Sequence, residues 1–456
     1  MSDERLDILT NAVSEPVGDY GPVRIERIKI SDYKFFHGDF ELAINGKNLL
    51  MYGENGSGKS SVYRALEYLA KTQFKSITKD KNIFSGTTEP SIEFGFTNGK
   101  ELIIDSDLET LPESFSFLRG LSVFIPLLDY KKLLKAHYSP TGNGDSVNVY
   151  AMLWEIFKDY PYKEKKKISE ITDFTERFDT LKTIVNGELL GEINTLIGFF
   201  DKDFKIIKFY FKVEATPDNR PEPTVTIEID FRDNPIERYH QFLNEARLSA
   251  LAISIYFASI RKLLGSLDKE CLKILALDDL LISLDMSNRF HLLDILKTKF
   301  ADFQIFFFTH DKELFEIYKN KMDWEKYEIY PDEADGIPKP LLKPHESEIK
   351  RAKAYFDKKE LDVCAMLLRK EFERFLHAFL PPEDQRNKFG EELDLAGLIS
   401  KAISKSSGET KTILQRLDTD RKHLFNPSCH HDDRNMFTKE VKTAINELER
   451  LIAILK

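Results

Sequence analysis

Gly53-Glu54-Asn55-Gly56-Ser57-Gly58-Lys59-Ser60 constrains this chain more than any other segment. It matches G-x-x-x-x-G-K-[ST], and its surroundings give the match meaning. Asn48 to Tyr52 is a short apolar run, and from Ser60 the apolar residues Val62, Leu66 and Leu69 fall at helical spacing. The order is therefore strand, glycine-rich loop, helix. Glycines let several backbone N–H groups converge on a phosphate at the positive end of a helix. Lys59 then offers an ammonium to the β and γ phosphates of a nucleotide, and Ser60 offers a hydroxyl to Mg²⁺. Asn55, Gly56, Ser57, Gly58 and Ser61 complete the cradle. The competing reading, a chance glycine-rich turn, does not account for the strand before it and the helix after it.

Lys273 to Asp279, KILALDD, is an apolar strand ending in two carboxylates. This pattern places Asp278 to hold the water shell of Mg²⁺ beside Ser60, and Asp279 beside the attacking water. Without the phosphate loop, a buried strand running into a solvated acidic turn would explain it equally well. Phe308-Thr309-His310-Asp311 ends the next apolar strand, which brings His310 within reach of a γ phosphate. Leu243-Asn244-Glu245-Ala246-Arg247 opens a long apolar helix, and Ser283-Leu284-Asp285 follows the two aspartates.

The remaining pattern predicts an α/β chain with five parts. Residues 1–127 hold strands at Arg24–Ile30, Asp39–Ile44, Ser91–Phe96 and Glu101–Ile104, together with the phosphate loop. Residues 128–200 carry apolar positions at helical spacing between charges and predict a helical insertion. In residues 201–330 strands return, and from Lys273 to Thr309 the order strand, helix, strand signals a parallel sheet. Four prolines between Pro331 and Pro344 predict a linker over 331–346, and 347–456 reads as amphipathic helices.

Composition narrows the function class. The chain has 66 Lys and Arg against 76 Asp and Glu, a formal charge of -10, so any nucleic-acid contact must be local. Cys271, Cys364 and Cys429 show no paired C-x-x-C spacing, which argues against a disulfide framework or a structural zinc and fits a reducing cytoplasm. Met1–Asp19 is acidic and polar, unlike a signal peptide. Leu248–Ile260, the most apolar stretch at 13 residues, is too short to span a bilayer, so no membrane role is expected.

The motifs, in this order over roughly residues 24–325, resemble the ABC ATPase superfamily. The resemblance implies ATP and Mg²⁺ as cofactors, an ABC-type head with a β lobe, and a homodimer or higher oligomer with ATP sandwiched between heads. It implies that Asn244, Glu245, Ala246 and Arg247 stand where L-S-G-G-Q closes a partner's nucleotide, with Asn244 replacing the serine. Asp285 falls in the D-loop, His310 is the switch histidine, and Asp279 replaces the usual catalytic glutamate, which implies slow hydrolysis. Leu121–Asp129 holds no glutamine at the expected Q-loop. RIERIKISDYKFF (24–36) is similar to the opening of SMC and RecF proteins, while the roughly 180 residues between loop and signature exclude long coiled-coil arms. LDDLLISLDMSNR (277–289) and LNEARLSALAISIYFA (243–258) look most like ATPases of antiphage systems such as PARIS, Septu and the anticodon-nuclease type. That resemblance implies a regulatory ATPase paired with an effector, a nuclease or toxin. A self-contained anticodon-nuclease-like ribonuclease and a RecF-like DNA-repair ATPase stay open, with RNA or DNA as partner.

In the last part, Arg369 and Glu373 are four apart on an amphipathic helix, the spacing of an ion pair. Asn426-Pro427-Ser428-Cys429-His430 resembles the N-x-x-x-H of HEPN ribonucleases, although Phe425 stands where that family has arginine. Arg421 is a candidate substitute, and His430 or His431 the candidate acid or base. A structural or partner-docking bundle is the alternative. His430-His431-Asp432-Asp433 reads more simply as solvated charge than as a metal site.

Overall fold

The computed structural model describes residues 22–71, 74–123, 126–129, 147–162, 166–215, 221–264, 271–280, 284–333, 335–344, 346–426 and 436–454. The chain divides into two compact units, 1–344 and 345–456.

Fifteen described strands belong to the first unit: β1 (Ile25–Ser31), β2 (Asp39–Ala43), β3 (Asn48–Gly53), β4 (Ser91–Phe96), β5 (Glu101–Ile104), β6 (Leu127–Asp129), β7 (Pro161–Tyr162), β8 (Lys166–Lys167), β9 (Phe204–Ala215), β10 (Pro221–Phe231), β11 (Asn234–Ile236), β12 (Ile274–Asp278), β13 (Gln304–Thr309), β14 (Trp324–Asp332) and β15 (Lys339–Pro344). Six form the central sheet in the order β15-β14-β3-β13-β12-β6. All neighbours are parallel except β15, which runs antiparallel at the edge.

The composition of these strands follows from their position. A parallel strand covered on both faces has no solvent side, so it needs apolar residues throughout rather than alternation. All six residues of β13, QIFFFT, are buried. Because side chains alternate across a sheet, successive residues feed different cores. Leu50, Leu277, Ile305 and Phe307 join a core with the long helix Glu245–Leu264 and the helices of 150–200. Leu49, Met51, Ala276, Phe306 and Phe308 join the opposite core, with the helix Lys59–Glu67 and the antiparallel sheet β2-β1-β4-β5. The stretch Leu248–Ile260 is buried throughout, as its lack of a polar face demands.

Gln304 ties the antiparallel lobe to the central sheet. Its fully buried amide accepts from Ile25 N–H at 2.7 Å and donates to Ile25 O at 2.8 Å and Lys47 O at 2.7 Å. Asparagines do similar work on the third sheet, β11-β10-β9. Asn186 and Asn194 each bond both the N–H and the C=O of one β9 residue, Phe209 and Ile206, where no strand covers that edge. This meets the demand that buried backbone polar groups be paired.

Two expected boundaries are corrected. Residues 331–344 are not a linker: Pro331 and Pro340 face each other in the β14–β15 ladder. β14 pairs with β3 only as far as Ile329, and β15 is an edge strand, so neither proline breaks a ladder bond that the sheet needs. The helical insertion cannot begin at 128, because Leu127–Asp129 pairs with β12 inside the central sheet. Beyond that strand, helices Tyr150–Phe157, Phe174–Thr183 and Leu190–Phe200 do occur, with the short β7–β8 pair among them.

The second unit is helical, with helices Glu348–Asp357, Leu361–Phe379, Leu395–Lys405, Gly408–Asp420 and Thr438–Ile454 around their own apolar core. Arg369 takes a partner other than the expected Glu373. It donates to Asn426 Oδ1 at 3.0 Å, and so links the second of these helices to the start of the N-x-x-x-H segment. His430, His431, Asp432 and Asp433 lie outside the described residues. No described helix is long and apolar enough to cross a membrane.

Replacing Gln304 with alanine strands two buried backbone groups, each costing about 1–3 kcal/mol, and a third that is half-buried. We expect Gln304→Ala to lower stability by about 3 kcal/mol or more in denaturant unfolding; a loss below about 0.5 kcal/mol, the scale of a neutral surface change, would show that Gln304 does not hold the lobe.

Candidate nucleotide site

The loop residues, Asp278, Asp279 and His310 gather where the parallel strands end. β3 runs directly into the loop, and Gly53 closes the turn. A Cβ on Gly53 would lie 2.3 Å from Ile329 Cγ2 and 2.8 Å from Ile329 O, so β14 leaves no room for a side chain. Gly56 and Gly58 have φ of +81° and +105°, the left-handed region that suits glycine. The chain then enters the helix Lys59–Glu67 with its first N–H groups turned to the loop.

Lys59 is only 5% exposed. Its ammonium donates to Gly53 O at 2.5 Å and Glu54 O at 3.1 Å. Burial lowers its pKa, while the charges of Asp279 and Asp278 counteract this. Ser60 Oγ donates to Asp278 Oδ2 at 3.3 Å, which joins the loop to the end of β12 across 218 residues of sequence.

Burial, and next the charge of Asp279, push the Asp278 carboxyl up to about 6; Lys59 and Ser60 oppose them. Asp278 Oδ1 and Ser57 Oγ are buried with no hydrogen-bond partner. Orphaned polar atoms of this kind cost about 1–3 kcal/mol each. An acceptor-only oxygen fits a cation or its water, and a hydroxyl fits a phosphate oxygen. The donor set therefore fits a magnesium nucleotide, although among the described residues no three His, Cys, Asp or Glu converge on one point as a metal cage. That is the usual condition for Mg²⁺, which takes one or two protein ligands and completes its shell with phosphate and water.

Asp279 faces elsewhere because its backbone is left-handed, φ +50°. Its N–H reaches Phe308 O at 3.1 Å. Its Oδ1 receives His310 N–H at 2.8 Å and lies 2.7 Å from His310 Nδ1. The two adjacent aspartates thus serve different neighbours, one the loop and one the histidine. A non-glycine residue held at positive φ stores roughly 1–3 kcal/mol of strain, sustained here by the parallel pairing of β12 with β13.

The other expected residues are engaged within their own chain. Asn244 Oδ1 accepts Arg247 N–H at 3.0 Å at the start of the helix Glu245–Leu264 and keeps its amide NH₂ as a donor. Arg247 is paired with Asp201 at 2.6 Å and lies over the Phe231 ring, so it is not a free cation. Asp285 caps the helix Met286–Lys299 by accepting Asn288 N–H, and Ser283 lies outside the described residues.

Asp129 is the residue that the sequence did not single out. It ends β6, paired in register with Asp278, and its charge raises the pKa of Asp278. It stands in the segment where a glutamine was expected, and the apolar pair Leu127–Leu128 before it was the available signal.

No family model matches the sequence, and no curated protein matches it. Among solved structures, the chain is similar to an SMC head bound to the C-terminal winged-helix domain of ScpA, with 12% identity, a TM-score of 0.44, and 72% of this chain and 99% of that one covered. It is also similar to the SMC head domain from Thermotoga maritima, with 13% identity, a TM-score of 0.36 and coverage of 71% and 99%. A third is an SMC head with an extended coiled coil bound to the C-terminal domain of ScpA, derived from Pyrococcus furiosus, with 12% identity, a TM-score of 0.41 and coverage of 74% and 100%. At this distance the reading of the site rests on the geometry of this chain.

A carboxyl whose pKa is raised by folding contributes stability below its unfolded value, 3.8, and loses it as pH rises through about 6. Asp278→Asn removes that penalty. In melts without nucleotide or magnesium, we expect the variant to melt higher than wild type at pH 7.5 and the gap to close toward pH 4. A gap constant across that range would place the strain elsewhere.

Proposed function

We propose that the first unit binds and hydrolyses ATP with Mg²⁺ as an ABC-type ATPase of the SMC and RecF kind. The observation that carries this reading is the convergence of the buried Lys59 with Ser60 and Asp278 at 3.3 Å, at the carboxyl ends of parallel strands, where open α/β sheets bind ligands. Backbone N–H groups of Gly56 to Ser61 hold the phosphates. Lys59 leaves the Gly53 and Glu54 carbonyls for the β and γ oxygens. Ser60 and Asp278 hold Mg²⁺, which supplies charge neutralisation on the phosphates when bound. Asp279 orients the attacking water through the carboxylate oxygen not bonded to His310, and His310 faces the γ phosphate.

In this reading two copies pair over the nucleotide, each offering Asn244–Arg247 to the other's site. Arg247 must then exchange or share its Asp201 partner, which makes closure a step in its own right. We further propose a regulatory role in an antiphage defence complex, in which the ATP state holds or releases an effector, a nuclease or toxin. The resemblance of residues 243–258 and 277–289 supports it. A second reading has one observation in its favour: the Arg369–Asn426 bond brings an arginine to the N-x-x-x-H segment that lacks one in sequence. RNA cleavage by the purified chain, lost in His430→Ala, would favour a ribonuclease in the second unit. Salt-dependent DNA binding that needs ATP would favour a repair clamp.

The test is direct. We expect Lys59→Ala to lose ATP binding, and Asp279→Ala to bind ATP, lose turnover by about 100-fold or more, and accumulate as a nucleotide-dependent dimer in sedimentation. An Asp279→Ala protein that hydrolyses ATP at the wild-type rate would refute the catalytic assignment.

A further inference from the structure

A further charged side chain, Arg289, lines the cavity beside Asp279 and His310. Arg289 sits in the first turns of the helix Met286–Lys299, mostly buried. Its Nε donates to Leu284 O at 3.0 Å, and its Nη1 donates to Asp311 Oδ2 at 2.5 Å. Asp311 is committed on its other oxygen, where Oδ1 accepts Leu314 N–H and caps the helix Lys312–Tyr318. Burial would raise the Asp311 pKa, but the Leu314 N–H and the Arg289 guanidinium outweigh it and keep this carboxyl below its ordinary value. The Asp311 N–H is fixed by Thr309 Oγ1, and the Tyr318 hydroxyl donates to Arg289 O from the same helix.

The two segments joined this way each follow one member of the candidate catalytic pair in the chain. Leu284–Asp285 follows Asp279, and Asp311 follows His310. Asp279, Arg289, Thr309, His310 and Asp311 all line one cavity at the ends of β12 and β13. Asp279 has φ +50°, and its Oδ1 accepts His310 N–H and lies 2.7 Å from His310 Nδ1. Among the described residues, the forked guanidinium of Arg289 reaches both segments.

We propose that Arg289 is a positioning residue for ATP hydrolysis: by clamping the Leu284 turn to the Asp311 turn, it fixes the Asp279–His310 pair in the geometry that orients the attacking water. This rests on the ATPase reading above. The bonds of the Arg289 guanidinium go to Leu284 O and Asp311 Oδ2 of the chain itself, so a positioning role falls on turnover and not on binding. A lysine keeps the charge but clusters its three donors on one compact ammonium with no planar fork, so charge alone does not substitute.

The experiment uses the full chain and compares wild type with Arg289→Lys, Asp311→Ser and the double variant. Serine keeps the helix cap at 311 while its side chain is too short to reach the guanidinium. ATP turnover, the KM for ATP, fluorescent-ATP affinity and melting temperature are measured for each. We expect kcat to fall about tenfold or more in each single variant, with KM and nucleotide affinity within about threefold, and the double variant to be no slower than the slower single one. Wild-type turnover in Arg289→Lys, or a loss of nucleotide affinity matching the loss of kcat, would overturn the proposal. A wild-type chain with no ATP turnover would sink the ATPase reading and this inference together, whereas full activity in the variants sinks only this one.

Discussion

A lysine ammonium taken out of water and held among two carbonyls and two nearby carboxylates organises the first unit. Isolated, such a charge is costly to bury. Lys59 is held by Gly53 O and Glu54 O, with Asp278 and Asp279 within electrostatic reach. Those groups arrive from β3 and β12, which are not adjacent but flank β13 in the sheet. The cluster therefore requires the whole parallel sheet in register. A sheet covered on both faces, with alternate residues entering separate cores, fixes that register, because a slip of one residue would exchange the two cores.

The paired aspartates at the end of β12 show how one turn separates two tasks. Asp278 continues the strand and meets Ser60; Asp279 turns left-handed and meets His310. The position before the turn keeps its carboxyl deep enough to raise its pKa, so bringing up a cation relieves two penalties at once: a buried charge and an unpaired oxygen. Strain and unsatisfied polarity gather where a ligand is expected to bind, consistent with a site that gains stability on loading.

Motifs with local geometry were legible from sequence. The loop of residues 53–60, the strand Ile274–Asp278, and His310 at the end of β13 could be read because each is a short pattern whose neighbours announce strand or helix. Pairings between distant segments were not. Nothing in the order of residues says that Arg369 prefers Asn426 to Glu373 four positions away, since that choice depends on how two helices pack. Nor did the spacing show that Pro331 and Pro340 face one another in an edge ladder: proline-rich composition is shared by linkers and edge strands, and only the missing neighbour on one side distinguishes them. Asp129 escaped notice for the same reason, as its importance comes from register with Asp278 and not from its own segment.

In the proposed function a triphosphate lies on the loop between β3 and the helix Lys59–Glu67. A crystal or cryo-EM structure of the chain with Mg²⁺ and a non-hydrolysable ATP analogue tests it most directly. We expect phosphates against the backbone of Gly56–Ser60, the Lys59 ammonium moved from the Gly53 carbonyl to the β and γ oxygens, and the cation held by Ser60 and Asp278. Analogue bound elsewhere, or a loop that stays empty at saturating nucleotide with Lys59 still on the Gly53 carbonyl, would contradict it.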